Sequence, residues 1–349
     1  MRRVKIGDRY VGDEAPVFII AEAGVNHNGD VQLAKRLVDV AVDAGVDAVK
    51  FQTFNAERVV SATAPKAEYQ LQTTNRAESQ LDMLRSLELS PDAHYEIQAY
   101  CRERNILFIS TACDRESVDL LGQLEVPVFK IASAEIPNWP LLEYVARKGK
   151  PIILSTGMSY LSEVDEAVRV IRNGGCDQLI LLHCVSNYPA DLADVNLRAM
   201  HTMATVFKVP VGYSDHTPGI EVPLAAVAMG ACVIEKHLTL DKDLPGPDHR
   251  ASLEPGELAA MVSGIRAVEL ALGQGTKAPA PCESGNRSIM RRSLAAAFDL
   301  PKGTIIEANM LEALRPAGCI SPNLLEHIVG RTLQRAVRSG ELIAWTDLQ

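Results

Sequence analysis

Chemically capable residues recur at one place in this sequence, the ends of short apolar runs. Glu22, Asn26 and His27 close the first run, Lys50 and Gln52 sit in the second, and Ser110 and Thr111 close the third. Lys130 and Ser133, then Ser155, Thr156 and Gly157, then His183, follow in the next three. Ser214-Asp215-His216 and Glu235-Lys236-His237 complete the series. Two compact cations, Lys50 and Lys130, beside the hydroxyls of Thr111, Ser133, Ser155 and Ser214 suit a phosphate group. The competing reading of each lysine is an ion pair with Glu22 or Glu235, and hydroxyls of this kind also cap helices. His216 and His237, with a carboxylate from Glu22, Asp215 or Glu235, suit a divalent metal that keeps positions open for water. Nothing in the pattern selects the ion. Asp248 and Arg250, in Gly246-Pro-Asp-His-Arg250, stand on a loop that can face the same ligand. A phosphate pocket beside a metal-held water points to chemistry on a phosphorylated small molecule. Phosphoenolpyruvate is one candidate: its enol carbon attacks an aldehyde, and water captures the resulting cation.

Positioning these residues requires a repeating scaffold. Val17–Gly24, Ala48–Phe54, Ile106–Ala112, Val128–Ser133, Pro151–Gly157, Leu179–Cys184, Val211–His216 and Cys232–Thr239 are dense in Val, Ile, Leu or Phe. Such runs fit parallel strands buried on both faces. Segments of helical period separate them. In 30–44, Leu33, Leu37, Val40 and Ala44 share one face, with Asp30 before and Gly45 after as start and stop signals. Ser90–Arg104 places Pro91 at a first helical position, and Ser162–Asn173 and Glu254–Leu272 follow the same pattern. Eight strand–helix repeats match a TIM (β/α)8 barrel in number and length, and the polar strand ends then converge on one mouth. A doubly wound open sheet is the runner-up, but its glycine-rich fingerprint is missing after the first strand. Residues 55–89 form a long connection of the kind that covers an active site. The expected division is a catalytic barrel over 1–272, a Gly/Pro/Ser-rich linker over 273–288 and a small domain over 289–349 that docks against something larger.

The chain has 349 residues and a formal net charge of −9. That balance argues against a nucleic-acid or anionic-membrane partner. Seven scattered cysteines without a CxxC pair read as free thiols in a reducing cytoplasm. The charged N-terminus lacks the apolar core of a signal peptide, and the longest apolar-rich run, 222–234, is too short to span a bilayer. A soluble, cytoplasmic location is therefore expected.

At this level of detail the chain resembles the bacterial sialic acid synthases. The resemblance rests on IIAEAGVNHNGD (19–30), KFQTF (50–54), FKIASAEIPNWPLL (129–142), ILSTGMS (153–159), GYSDHTPG (212–219), EKHLTLDKDLPGPDHRASLEP (235–255) and LRPAG (314–318). It implies a TIM barrel followed by an antifreeze-like (SAF) domain, in a domain-swapped homodimer. It implies an activity that condenses phosphoenolpyruvate with N-acetylmannosamine to give N-acetylneuraminate and phosphate by C–O cleavage. By the same resemblance, His216 and His237 hold Mn2+ or Mg2+, and Lys50, Thr111, Lys130, Ser133, Ser155 and Ser214 bind phosphoenolpyruvate. Glu22 lies near the reacting carbons, with Glu235 a second acidic residue. Gln52, Tyr188 and Asp248 face the sugar, and the partner's small domain delivers Arg315 towards the N-acyl group. One position departs: Ser186 stands two residues before Tyr188, where some sialate synthases carry Asn. That departure keeps related nonulosonates open, among them a legionaminic acid made from a 2,4-diacetamido-trideoxy-hexose. Outside this reading stand a Schiff-base aldolase using Lys50, Lys130 or Lys236, and a non-catalytic carbohydrate-binding protein.

Overall fold

The computed structural model describes residues 3–349. The chain divides into two compact units, Met1–Gly273 and Gln274–Gln349.

The first unit is a closed barrel of eight parallel strands: β3 (Phe18–Gly24), β4 (Ala48–Thr53), β5 (Leu107–Ala112), β6 (Phe129–Ile131), β7 (Ile152–Ser155), β8 (Leu179–Cys184), β9 (Val211–Asp215) and β10 (Val233–His237). They pair in sequence order, and β10 closes against β3. All eight lie inside the apolar runs of the sequence, Leu179–Cys184 at full length and the others shortened by one to three residues where the chain leaves the ladder. Side chains alternate across each strand, so the barrel sorts them into two sets. Ile19, Val49, Phe129 and Ile234 belong to the outer core beneath the helices. Phe18, Ile20, Ala48, Ile109, Val128, Ile153, Ile180, Leu182 and Val233 form an inner apolar plug. Continuing the same inward set towards the C-terminal strand ends brings Glu22, Lys50, Thr111, Lys130, Ser155, Ser214, Glu235 and His237 above the plug.

The helical signals have visible counterparts. Asp30 caps the helix Val31–Ala44 by accepting from the Gln32 N–H, and Gly45 ends it in a left-handed conformation at φ 77°. Ser90 caps Pro91–Glu103, with Pro91 in the first turn.

Two features escape the strand–helix reading. An antiparallel hairpin of β1 (Arg3–Ile6) and β2 (Arg9–Gly12) precedes the barrel. Val4, Ile6 and Val11 join the inner plug and close the barrel at the end opposite the site. Asp47 anchors this end: it pairs with Arg9 and Arg266 and accepts from the Ile19 N–H at 2.8 Å. Ile6 has no exposed surface, so Ile6→Ala is expected to lower the stability of the barrel by about 2–5 kcal/mol through lost burial and a residual cavity. Urea unfolding followed by far-UV circular dichroism checks this, and an unchanged midpoint would remove the hairpin from the core.

The second feature is the connection after β4. Instead of a loop, it holds three short helices, Ala56–Val59, Glu68–Thr73 and Gln80–Leu87. Ser79 caps the last by accepting from the Asp82 N–H, and Met83 and Leu87 form a small apolar cluster with Val25.

The second unit has its own core of Leu294, Ala296, Leu300, Ile306, Ile320, Ile328, Leu333, Val337, Ile343 and Leu348. Its one named strand pair is antiparallel, β11 (Ser293–Ala296) with β12 (Leu311–Leu314). Residues 273–288, expected as linker, carry a 3-10 turn at Pro281–Glu283 and the start of a helix, Ser284–Met290. No helix among the described residues is long and apolar enough to cross a membrane.

Candidate active site

The barrel mouth opens into a cavity of about 490 Å3, a volume suited to small ligands. Its floor is a buried charge cluster. Lys50 Nζ lies 2.7 Å from Glu22 Oε2 and 3.6 Å from Glu235 Oε1, and Lys130 Nζ lies 3.8 Å from the same Glu235 oxygen. Two cations and two anions thus share one low-dielectric space. Lys50 also donates to Thr111 Oγ1 at 2.9 Å, and Lys130 to Ser155 Oγ at 2.7 Å. Ser214 donates to Glu235 Oε1 at 3.1 Å, and Gln52 Nε2 to Glu22 Oε1 at 3.2 Å. The ion-pair reading of the lysines is thus observed, and each lysine also carries a hydroxyl partner of the kind an anionic ligand can share.

The two carboxylates differ. Burial pushes Glu22 up to about 7, against the pull of Lys50 and with the help of Glu235. Burial also opposes charge on Glu235, but Lys130, Lys50 and the Ser214 hydroxyl outweigh it and hold this carboxyl below its usual range. One carboxylate stays ionised while the other titrates near neutrality, the pattern expected of a charge stabiliser beside an acid–base group.

Ser133 opens a 3-10 turn directly after β6. Its Oγ accepts from the Gly157 N–H at 2.8 Å and lies 3.2 Å from Cys184 Sγ. A Cβ on Gly157 would stand 2.3 Å from Ser186 Oγ and 3.0 Å from Cys184 Sγ, so a side chain here would push both groups out of place. Ser186, Cys184 and Ser133 line the same wall.

His216 and His237 meet with ring centroids 5.5 Å apart. Tyr188 covers them, 4.1 Å from His216 and edge-on to His237 at 5.7 Å. His216 Nδ1 lies 2.6 Å from the Val185 carbonyl; a proton donated there leaves Nε2 with its lone pair. His237 Nδ1 is buried without a hydrogen-bond partner, and its nearest carboxylate oxygen, on Asp248, is 3.9 Å away. Burial lowers both imidazole pKa values, His237 far below its ordinary value. Neutral imidazoles with a buried, unpartnered nitrogen fit a divalent metal ion. Among the described residues, no group of three or more His, Cys, Asp or Glu side chains adopts a metal-holding arrangement. The pair therefore fits as a two-imidazole site whose remaining positions fall to substrate and water.

Asp248, lifted to about 6 by burial, is fixed by its neighbours. Ser252 Oγ donates to the Asp248 carbonyl at 2.7 Å, and Asn26 Nδ2 donates to Ser252 Oγ at 2.9 Å and to the Leu238 carbonyl at 2.8 Å. The loops after β3 and β10 are thereby joined beside the mouth.

Some expected residues lie elsewhere. Asp215 follows the inward Ser214, so alternation turns it outward. It forms a fully buried pair with Lys236 at 2.5 Å and accepts from Thr217. This removes Asp215 as a metal-side carboxylate and Lys236 as a nucleophile at the mouth. His183 is likewise outward, with Nε2 2.8 Å from the Val195 carbonyl. Arg250 is exposed. Arg315 belongs to the second unit, where it stands exposed before a cis peptide bond to Pro316. Conversely, sequence reasoning overlooked Tyr69, Gln70, Gln80, Met83, Leu84 and Leu87, which line the mouth from the segment after β4. Tyr69 packs against Tyr188 with tilted rings, centroids 5.1 Å apart. The available signal was local: a Ser79 cap followed by apolar positions 83, 84 and 87.

An (β/α)8 barrel that gathers two lysines, short hydroxyls, paired carboxylates and two neutral imidazoles at its C-terminal mouth defines an enzyme class acting on small anionic substrates. More particularly, the chain belongs to the NeuB family, whose signature spans residues 37–277, and residues 291–349 match the SAF domain. It is 50% identical to the N,N'-diacetyllegionaminic acid synthase of Campylobacter jejuni, over 93% of this chain and 98% of that protein. The N,N'-diacetyllegionaminic acid synthase of Legionella pneumophila is 48% identical over 97% and 96%. Among solved structures, the N-acetylneuraminic acid (sialic acid) synthetase of Leptospira borgpetersenii, in complex with citrate, superposes with a TM-score of 0.74. It shares 38% identity and covers 82% of this chain and 95% of that one.

Proposed function

We propose that this chain is a nonulosonate synthase that condenses phosphoenolpyruvate with an N-acetylated amino sugar and releases phosphate by C–O cleavage. The observation that carries the reading is the cluster of Lys50, Lys130, Glu22 and Glu235 on the floor of the mouth, fringed by Thr111, Ser133, Ser155 and Ser214. Phosphoenolpyruvate binds there through the two ammonium groups and the hydroxyls. Its C3 attacks the aldehyde carbon of the open-chain sugar, forming the C–C bond and leaving positive charge at C2. Glu235, held ionised, stabilises that charge. Water adds at C2 and loses a proton, the aldehyde oxygen gains one, and the bond from C2 to the phosphate oxygen breaks as the C2 hydroxyl gives its proton to the leaving phosphate, leaving a ketone and inorganic phosphate. Glu22 handles a proton in this exchange. His216 and His237 would hold the divalent ion, Mn2+ or Mg2+, which when bound supplies Lewis-acid polarisation of a substrate oxygen. Gln52, Tyr188 and Asp248 contact the sugar.

The acceptor proposed is 2,4-diacetamido-2,4,6-trideoxy-mannose, giving N,N'-diacetyllegionaminate. Full-length similarity to two legionaminic acid synthases supports this over N-acetylmannosamine, the acceptor expected from sequence motifs. Similarity to the sialic acid synthetase structure supports N-acetylmannosamine as the second reading. The reading includes a cytoplasmic homodimer in which the SAF unit of one copy brings Arg315 to the barrel of the other. Phosphate release from phosphoenolpyruvate, measured with each sugar in the presence of Mn2+, tests it. A kcat/KM at least about tenfold higher with the trideoxy sugar is expected. A preference for N-acetylmannosamine would restore the sialate assignment, and no release with either would refute the synthase reading.

A further inference from the structure

Two charged residues that the chemistry above does not use stand between residues that it does. Asp215 separates Ser214 from His216, and Lys236 separates Glu235 from His237. Alternation turns both away from the mouth. They meet behind the barrel wall as an ion pair, Lys236 Nζ to Asp215 Oδ2 at 2.5 Å, with neither side chain exposed. Asp215 Oδ1 also accepts from the Thr217 N–H at 3.1 Å. The Thr217 hydroxyl lies 2.9 Å from Oδ1 and 3.1 Å from Oδ2. Lys236 Nζ donates in addition to the Thr217 carbonyl.

The place of this cluster matters because of where the sheet stops. β9 ends at Asp215, whose register partner on β10 is Lys236, the last pair between the two strands. His216 and Thr217 lie beyond that pair, so the β9–β10 ladder does not hold the backbone that carries His216. On the β8 side, His216 is held through Nδ1 by the Val185 carbonyl, and its own carbonyl accepts from the Ala190 N–H at 2.9 Å. On the β10 side a side chain replaces the missing ladder. The Lys236 ammonium starts one residue before His237 and ends on the carbonyl one residue after His216. The turn bearing one imidazole is thereby tied to the strand bearing the other.

Stability alone is a weak account of this pair. Burial strips water from both charges, and apolar residues of similar volume often serve a fold as well or better. What a fully hydrogen-bonded polar cluster supplies is one defined arrangement of the groups that it joins. We propose that Asp215, Lys236 and Thr217 form a positioning clamp that sets the separation and direction of His216 and His237 for a single metal ion. The proposal rests on the metal-holding role given to these histidines above, and the clamp itself takes no part in a chemical step.

The test compares two full-length variants with the wild type. Asp215→Asn combined with Lys236→Met leaves no buried ion without its partner and withdraws the ammonium from the Thr217 carbonyl. Thr217→Val withdraws only the hydroxyl. Mn2+ binding to the metal-free chain, without phosphoenolpyruvate, is read by electron paramagnetic resonance. The double variant is expected to bind Mn2+ about 10- to 100-fold more weakly, the loss typical of groups that orient a metal ligand. For Thr217→Val the expected loss is about 3- to 10-fold, the worth of a single hydrogen bond. Phosphoenolpyruvate binding without metal, measured by calorimetry, should stay within about threefold in both, because Lys50 and Lys130 share no partner with the clamp. Ile6→Ala, at the opposite end of the barrel, is the control for a purely structural effect: it should lower stability and leave Mn2+ affinity unchanged. Mn2+ affinity within about twofold of wild type in the folded variants would overturn the clamp, since that is below the worth of one hydrogen bond. So would equal losses of Mn2+ and phosphoenolpyruvate affinity, which mark general damage to the mouth. If the double variant fails to fold, Thr217→Val decides alone. A wild-type chain that binds Mn2+ no better than His216→Ala would overturn the metal-holding role and the clamp together.

Discussion

Glu22→Gln is expected to reduce kcat/KM by about 10²- to 10⁴-fold, the range associated with loss of a positioned acid–base group. It should also remove the ionisation near pH 7 from the kcat/KM profile. The expectation follows from the environment of this carboxyl. Burial lifts Glu22 to about 7 although Lys50 sits 2.7 Å away, so near neutral pH both protonation states are populated. Glu235, kept ionised by Lys130 and Lys50, does not compete for the role. The same shift has a consequence for stability, with a definite sign. Between about pH 4.5 and 7 the folded protein retains a proton on Glu22 that the unfolded chain has released. Stability therefore falls with rising pH through that window, by up to about 1.4 kcal/mol per pH unit from this group. Glutamine abolishes the slope, so the variant gains stability relative to the wild type as pH rises from 5 to 8. Denaturant titrations at three pH values, run beside the pH–rate profile, separate the outcomes. A variant with wild-type turnover and an unaltered profile would exclude Glu22 from proton transfer, whatever its stability.

The contrast between Glu22 and Asp215 shows how far the sequence could be read. Both are acidic residues at the end of an apolar run. Period-two alternation decides their fates: Glu22 is in phase with Phe18 and Ile20, which enter the inner plug, whereas Asp215 is out of phase with the inward Ser214. The eight strands were legible because burial on both faces demands continuous apolar runs. Membership of the site was legible wherever the inward phase could be counted. The hairpin Arg3–Gly12 was not, because its strands are short and half their residues face solvent, Arg3, Lys5 and Arg9 as charges and Tyr10 as a ring. Those charges read only as excluding a signal peptide, while Val4, Ile6 and Val11 in fact seal the barrel. The helices within 55–89 were hidden for a related reason. Each is eight residues or fewer, too short to establish a helical period, and the last is held by packing on Val25 and not by propensity. Consequently Tyr69 and the Met83–Leu87 face, which no strand-end argument reaches, came into view only with the folded chain.

Removing either imidazole should have the other large effect. Purified wild-type chain stripped with EDTA is expected to lose phosphate release and recover it with Mn2+ or Mg2+. In His216→Ala and His237→Ala, turnover should fall at least about 10³-fold, and Mn2+ binding, read by electron paramagnetic resonance, should weaken at least about 10²-fold, at or beyond the loss typical of second-shell changes. The expectation follows from how the two rings are held. Val185 fixes the His216 ring through Nδ1, Tyr188 lies against both rings, and each ring is biased to the neutral form that a metal needs. A structural role for the histidines predicts a different result. The histidine Nδ1 left unpartnered in His237 would then make alanine tolerable or even stabilising, with Mn2+ binding unchanged. With only two imidazoles assembled among the described residues, the free chain supplies few of the ligands a divalent ion requires. Mn2+ affinity is therefore expected to rise when phosphoenolpyruvate is present, and by reciprocity phosphoenolpyruvate affinity should rise with Mn2+ by the same factor. Calorimetric titration of each in the presence and absence of the other measures that factor twice. A factor of one, with EDTA-insensitive turnover, would dissociate His216 and His237 from any metal and leave the lysine floor as the sole electrostatic element of the reaction.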